Sequence, residues 1–317
     1  MLQAGDNSFQ FEMNRRYNSV GFSISEENLY WVIIESQNDG KIEIKEIEKI
    51  PLKESLNFNE LLNQKNRQLI FEILQSNSFS QKFSKYSVNL SIDSRLSYII
   101  KIPIEKSLSP QELKDHLIWE FNQHFFDEDH RNYFLSYHPI KKNKEQYFES
   151  VLFLAIQKSY INFFRHIFED VGLSLNVIDV DHFSAETVCQ HIYDYFSNSN
   201  NFLMTIKSDF FEFSLYERGN LISFRQVQYR EMEDIIKYFE KSISPLLKEN
   251  KNLINKIYVC GEKARTRLID ELNSVVPVEV LLINPFRKFI INKSVLNSPV
   301  YENFHEFTPA LGIALRG

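Results

Sequence analysis

The sequence predicts a mixed α/β (α+β) protein in which one structural unit occurs twice and a smaller unit interrupts the first copy. In residues 20–50, and again in 202–227, apolar positions form three consecutive strands joined by short polar turns, and a helical pattern follows each set. Between the two copies, residues 95–178 follow the order β-α-β-β-α-β, which is typical of a ferredoxin-like unit. A chain of 317 residues is long enough for two domains.

The first copy begins with alternating apolar residues over 20–24, which predict a strand with one buried face. The continuous apolar run over 29–34 suits a central strand that is buried on both faces. A third strand over 41–50 alternates isoleucine with lysine and glutamate. A helix over 57–76 and a strand over 86–92 complete this copy.

The inserted unit begins with a strand over 96–104. For the helix that follows, Ser109 is a natural N-cap, Pro110 occupies the first helical position and Glu112 completes a capping box. The rest of the unit is predicted as strands over 133–140 and 150–156, a helix over 158–171 that ends at Gly172, and a last strand that ends at 178.

The second copy follows a polar segment over 197–201, which is predicted as a linker. A helix over 183–196 precedes this linker. After it come strands over 202–206, 211–216, 221–227, 256–260 and 278–282, with helices over 232–247 and 263–273. The predicted domains are a first lobe over 1–94 together with 179–200, an insert over 95–178 and a second lobe over 201–317.

Composition excludes several classes of function. The net charge of −6 and the pI of about 5.8 give no global field that would attract nucleic acid. No uncharged apolar run reaches the roughly 18 residues that a membrane span needs, and the amino terminus lacks a signal-peptide core. Cys189 and Cys260 fit no metal spacing and indicate a reducing compartment. These features predict a cytoplasmic location.

The chain has only eight glycines, and no two lie within four residues of each other. This spacing excludes a G-x-G-x-x-G loop and a G-x-S-x-G nucleophile elbow, and no G-x-x-x-x-G-K-[ST] P-loop occurs in the sequence. Histidines near carboxylates lack the spacing of metal ligands, so no metal site is expected and these groups are predicted to lie on the surface. They are His116, His124 and His130 beside residues 127–129, and His182 beside Asp179 and Asp181.

Three segments carry a family resemblance, which runs from about residue 18 to the end of the chain. They are IPIEKSLSPQELKDHLIWEFNQHF at 102–125, SVLFLAIQKSYINFFRHIFEDVGLSLNVIDVDHFSA at 150–185 and PALGIALRG at 309–317. In order and spacing they resemble the PilM family of type IV pilus assembly proteins, which are actin-like relatives of FtsA. The resemblance implies an actin-like ATPase fold, in which two RNase H-like lobes face a nucleotide cleft and the ferredoxin-like insert belongs to the first lobe.

The nucleotide motifs of the PilM family are altered in this chain. The family pattern G-x-D-I-G-T is GFSISE at 21–26, D-I-G is Thr205-Ile206-Lys207, and S-G-G-G-A is CGEKA at 260–264. Both carboxylates that would organise a cation are lost, and side chains replace glycines that let the backbone approach phosphate. The degenerate positions are Ser23, Ser25, Glu26, Thr205, Lys207, Asp209, Gly261 and Glu262. The resemblance, with these departures, implies a pseudo-ATPase that needs no cofactor and no metal.

The resemblance also implies a function and a partner. It predicts a non-catalytic scaffold of a type IV pilus system, or of a type II secretion system with its related GspL proteins, recruited to the inner face of the cytoplasmic membrane. Its partner would be the cytoplasmic peptide of an inner-membrane PilN-like protein, held between the insert and the first lobe. Two alternatives stay open: an ATPase that uses Lys207 and Asp209 and would take ATP with magnesium, and a self-associating, filament-forming protein.

The predicted groove for this peptide lies on the first strand and the first helix of the insert. Trp119 has a second interpretation, in which its ring packs between helix and sheet. The groove residues are Ser97, Ile99, Lys101, Leu117, Trp119 and Phe121.

Overall fold

The computed structural model describes residues 17–76, 79–105, 107–140, 148–249 and 254–317. The strands are β1 (Asn18–Ile24), β2 (Asn28–Ser36), β3 (Ile42–Pro51), β4 (Ser87–Ile92), β5 (Ser97–Glu105), β6 (Tyr133–Pro139), β7 (Phe148–Gln157), β8 (Leu175–Val180), β9 (Asn200–Ile206), β10 (Phe210–Glu217), β11 (Asn220–Gln228), β12 (Lys256–Cys260), β13 (Glu279–Leu282) and β14 (Ile290–Ile291).

The α-helices are α1 (Gln64–Ser76), α2 (Phe79–Phe83), α3 (Pro110–His124), α4 (Lys158–Asp170), α5 (Asp181–Ile192), α6 (Asp194–Asn198), α7 (Met232–Tyr238), α8 (Ser244–Glu249), α9 (Thr266–Val275), α10 (Lys293–Leu296) and α11 (Thr308–Ala314). A π-helical turn over Phe239–Ile243 joins α7 to α8. Short 3₁₀ helices cover Phe58–Glu60, Ser94–Leu96, His130–Asn132 and Pro299–Phe307.

The first lobe is built on a six-stranded sheet in the order β14-β3-β2-β1-β4-β8. β1, β2 and β3 form an antiparallel meander, whereas β4 runs parallel to β1 and β8 parallel to β4. The buried run of β2 confirms the predicted central strand. Against one face, the ring of Phe22 lies 5.4 Å from that of Phe83 and 5.3 Å from that of Phe168. Aromatic side chains therefore fill the space between this sheet and its helices.

The second lobe repeats the same topology. Its five-stranded sheet has the order β11-β10-β9-β12-β13, with an antiparallel meander followed by two parallel strands. The predicted duplication is therefore confirmed at the level of strand order. The buried side chains of α7 and α9, including Ile235 and Leu268, pack on this sheet and form a core separate from that of the first lobe.

The insert is smaller than the predicted β-α-β-β-α-β unit. Its three-stranded sheet has the order β5-β7-β6, and α3 covers one face. The capping box of Ser109 and Glu112 at the start of α3 is confirmed. The predicted last strand is wrong for this unit, because β8 pairs with β4 in the first lobe, and α4 contacts α1 there. Periodicity shows that a segment is a strand, but does not show which sheet it joins.

The end of the chain returns to the first lobe, which corrects the assignment of all of 201–317 to the second. β14 pairs with β3, and α11 packs against β1 and α5. Gly21 and Gly312 allow this close approach, since a Cβ on either glycine would overlap backbone atoms of the facing element. The predicted linker over 197–201 is also corrected, because α6 and β9 cover most of it.

Candidate functional site

The loops that carry the altered motifs lie together between the two lobes. They are the turn between β1 and β2, the turn between β9 and β10, and the loop after β12. The carboxyl ends of the parallel strands β4, β8 and β12 lead to the same place, which is where open α/β sheets bind ligands. The structure thus brings together the predicted residues Ser23, Ser25, Glu26, Thr205, Lys207, Asp209, Gly261 and Glu262.

Lys207 connects the second lobe to the first. Its Nζ lies 3.2 Å from Asp93 Oδ2 and also donates a shorter hydrogen bond to Asp181. All three side chains are buried. Burial by itself lowers the pKa of Lys207, but the negative charges of Asp181 and Asp93 outweigh burial and raise the pKa well above its ordinary value. The ammonium group is therefore permanently charged and occupies the space between these carboxylates.

The carboxylates around Lys207 differ in their affinity for a proton. Burial raises the pKa of Asp181 to about 6 and that of Glu212 to about 8. For Asp93, the same burial is outweighed by the charges of Lys207 and Arg95, so its pKa is lowered. Glu212 therefore holds a proton at neutral pH, while Asp93 and Asp181 balance the two cations.

Arg95 forms a second connection across the cleft. Its guanidinium group is hydrogen-bonded to Glu26 of the first lobe, and its Nη2 lies 3.6 Å from Asp209 of the second. The same group lies 4.9 Å from the ring centroid of Phe58 and 5.1 Å from that of Phe210. Phe58 belongs to the first lobe and Phe210 to the second. Arg95 therefore connects the two lobes through its ion pairs and through cation–π contacts.

The loop after β12 adds a third connection. Lys263 Nζ lies 3.2 Å from Glu27 Oε2, and burial raises the pKa of the neighbouring Glu262. Gly261 has a φ of 108°, and a Cβ on it would overlap the backbone of Ile206. This glycine is needed for packing within the second lobe, where the loop crosses β9.

His182 corrects a prediction, because it is completely buried and not on a solvated surface. Its Nδ1 lies 3.0 Å from Thr205 Oγ1 and its Nε2 lies 2.7 Å from Ser214 Oγ, so it joins α5 to the second lobe. Burial lowers its pKa to about 3, which keeps the ring neutral. The aspartates predicted beside it form ion pairs, Asp179 with Arg316 and Asp181 with Lys207.

Sequence reasoning missed Asp93 and Arg95, and it did not connect Asp181 with Lys207. The sequence did carry a signal for the two aspartates, since Asp93 follows β4 and Asp181 follows β8, each at the carboxyl end of a parallel strand.

The histidines of α3 lie near one carboxylate. His116 and His124 are 3.5 Å and 3.8 Å from the carboxylate of Glu120. Among the described residues, no three or more histidine, cysteine or acidic side chains are arranged to hold a metal ion.

The six predicted groove residues do not share one surface. Leu117 and Phe121 are buried between α3 and the insert sheet, so the structure makes them core residues. Trp119 is 55% exposed, which also rejects its packing between helix and sheet. Ser97 and Ile99 lie elsewhere, at a cavity of about 210 Å³, and Lys101 is exposed further along β5.

This cavity is formed where the insert meets both lobes. Ser94 comes from the first lobe, Ser97 and Ile99 from β5, and residues 224–226 from β11. β5 and β11 are each the last strand of their sheet among the described residues. The volume is below the roughly 300–1,000 Å³ of small-molecule sites, so it suits a single side chain. An extended peptide that pairs with an open strand edge would present such a side chain.

Comparison with solved structures identifies the fold. The protein is similar to a PilM–PilN type IV pilus biogenesis complex, with a TM-score of 0.73 and 15% identity, over 95% of this chain and 99% of the other. A Bacteroides thetaiotaomicron protein of actin-like ATPase fold and unknown function matches with a TM-score of 0.51 and 16% identity, over 87% and 94% of the two chains. This protein has an actin-like ATPase fold. The predicted fold class and the likeness to PilM are thereby confirmed.

The proteins that match this chain are solved structures. No protein-family model and no curated protein matches the chain. Within the part of the chain that the structure covers, no helix is both long and apolar enough to cross a membrane.

Proposed function

We propose that this actin-like protein is a nucleotide-independent scaffold of a pilus or secretion assembly, which binds a short cytoplasmic peptide of an inner-membrane partner. The observation that carries the proposal is the set of charged side chains that fill the cleft. Lys207 pairs with Asp93 and Asp181 across this cleft, and Arg95 pairs with Glu26 beside them.

These residues do not fit magnesium and ATP. A magnesium ion in such a site is bound by free carboxylates, but Asp93 and Asp181 are engaged by the ammonium group of Lys207. Lys207 would have to leave a fully buried ion pair before it could contact phosphate. Arg95 and Lys263 are likewise paired with Glu26 and Glu27, so these two cations are not free to bind a triphosphate. The cross-lobe pairs supply the bridging interactions that a bound nucleotide would otherwise provide.

The choice of partner is supported by the likeness to a PilM–PilN complex. In this chain, the proposed peptide site is the open edge of β5 with the adjoining cavity at Ser97 and Ile99. Unpaired backbone groups on the strand edge would bind an extended peptide, and the cavity would accept one of its side chains. The site lies between the insert and the lobes, so a bound peptide would join them.

Titration calorimetry of the full chain with magnesium and ATP tests the nucleotide part of the proposal. We expect no heat of binding up to millimolar nucleotide. Micromolar binding would overturn nucleotide independence and favour the ATPase alternative.

Fluorescence anisotropy with the labelled cytoplasmic tail of a PilN-like protein tests the scaffold part. We expect Ile99→Glu to weaken binding about tenfold or more, since it places a charge in the cavity. The control is Leu296→Glu, which introduces the same charge at an exposed leucine on α10. Equal binding by both variants would reject this peptide site.

A further inference from the structure

The outer face of α3 and the turn after it carry two large aromatic side chains that are exposed to solvent. Trp119 is 55% exposed and Phe126, just beyond the end of the helix, is 84% exposed. α3 ends at His124, and Phe126 lies in the turn that follows. Exposed tryptophan and phenylalanine side chains are typical of protein interfaces, where they are among the residues that contribute most to binding.

Trp119 is held in place on this face. Its indole stacks on the ring of His116, with centroids 5.8 Å apart and an angle of 28° between the rings. His116 Nε2 in turn donates a hydrogen bond of 3.0 Å to the carbonyl oxygen of Pro103 on β5. One face of the indole is therefore supported by the insert, while more than half of the side chain stays open. A rigid aromatic side chain loses little entropy when a partner binds.

The charge around these aromatic rings is strongly negative. Residues 110–129 contain six carboxylates and one lysine, Lys114. Asp115 lies one helical turn before Trp119, and Asp127 and Glu128 directly follow Phe126; all three are exposed. An electron-rich indole face flanked by carboxylates attracts arginine and lysine side chains. It also repels an anionic bilayer, so membrane insertion of Trp119 is disfavoured.

We propose that the outer face of α3 is a docking surface for a basic segment of a protein partner. An arginine or lysine of that segment stacks on the open face of Trp119, and the carboxylates of Asp115 and Asp127 bind the neighbouring cations. This surface is separate from the β5 site, because α3 covers one face of the insert sheet while Ile99 lies on the other. Two partners can therefore bind the insert at the same time.

Tryptophan fluorescence offers a direct test. The chain has two tryptophans, and Trp31 is completely buried, so acrylamide quenching reports on Trp119. The probe is an alanine–arginine peptide of about 16 residues, which is long enough to form a helix in water. We expect it to protect Trp119 from acrylamide, and we expect a matched alanine–glutamate peptide to have no effect. Absence of protection by the arginine peptide would overturn the proposal.

Variants distinguish binding at this surface from non-specific attraction by the net negative charge of the protein. With labelled peptide and anisotropy, we expect Trp119→Ala and the double change Asp115→Asn with Asp127→Asn each to weaken binding about tenfold. The control double change, Glu240→Gln with Asp270→Asn, removes the same charge from the second lobe and should leave binding unchanged. Equal weakening by both double variants would show non-specific attraction and reject the site.

A last experiment tests lipid vesicles in place of the peptide. Vesicles of phosphatidylglycerol should leave the quenching of Trp119 unchanged at physiological salt. Protection by these vesicles and not by the arginine peptide would assign the surface to lipid and overturn the proposal.

Discussion

The cleft between the lobes and the outer face of the insert use the same kinds of side chain in opposite ways. In the cleft, Lys207 and Arg95 are buried against carboxylates of this chain and against its own aromatic rings. On α3, carboxylates and Trp119 are exposed, and within the described ranges no cation of this chain stacks on the open ring. In the cleft, the charged side chains are paired with other side chains of this chain, whereas on the insert they remain available to a partner.

This difference shows how an actin-like fold can keep its architecture while the location of binding changes. The buried ion pairs of Lys207 cross the cleft, and removing one partner would leave the other charge unpaired in a low-dielectric interior. Exposed groups on the insert contribute little to folding and are free to contribute to recognition.

The largest effect is expected from removing the central cation. Lys207→Met leaves Asp93 and Asp181 buried without a counter-ion, so we expect a loss of about 3–5 kcal/mol in the free energy of unfolding. Urea denaturation followed by circular dichroism measures it. The control is Lys41→Met, which breaks an exposed pair with Asp39 and should cause no measurable change. Similar results for the two variants would contradict the idea that the buried pairs of the cleft stabilise the fold.

A smaller loss is expected from crowding the cleft loop. Gly261→Ala would place a Cβ 2.8 Å from the backbone nitrogen of Ile206, so we expect destabilisation of about 3 kcal/mol. Gly40→Ala is the control, because Gly40 also has a positive φ, but a Cβ there would meet no other described residue within 4 Å. The difference between the two melting curves isolates crowding from backbone strain. Equal losses of stability in the two variants would mean that the loop after β12 can shift away from Ile206 to accommodate the added Cβ.

Stability should also depend on pH through the buried Glu186 on α5. Burial raises its pKa from 4.5 to about 8, so the folded chain keeps a proton that the unfolded chain releases. Its contribution is complete below pH 4.5 and is lost as the pH rises towards 8. In Glu186→Gln, we expect the fall in unfolding free energy over this range to be less steep, by up to about 1.4 kcal/mol per pH unit. Denaturation series at several pH values measure the slope, and Glu240→Gln should match the parent chain.

The smallest effect on stability is expected at the exposed indole. Trp119→Ala should change the free energy of unfolding by less than about 0.5 kcal/mol, because much of the side chain is in water. Phe121→Ala, two residues further along α3, removes a completely buried ring and should cost about 3–5 kcal/mol. Chemical denaturation compares the two. A large loss for Trp119→Ala would assign this residue to folding and weaken its role in binding.

Local patterns predicted the elements of this protein well, because they depend on neighbouring residues. The buried β2, the duplicated meander and the capping box at Ser109 all follow from short stretches of sequence. The partners of these elements were harder to predict. β8 has the pattern of any half-buried strand, and only its pairing with β4 excludes it from the insert.

The candidate site was predicted in part for the same reason. The sequence alone identified the altered loops, because a missing carboxylate or glycine is visible at a single position. It did not show that Lys207 would meet Asp93, since 114 residues separate them along the chain.

The sequence by itself determined the fold class, the repeated lobes and the loss of nucleotide motifs, because these depend on residue type and on short-range periodicity. Only the tertiary structure decided which charges meet in the cleft, which sheet each strand joins and which of Leu117, Trp119 and Phe121 faces solvent. These outcomes depend on how separate elements pack, and burial determines whether the same side chain stabilises the fold or remains available for a partner.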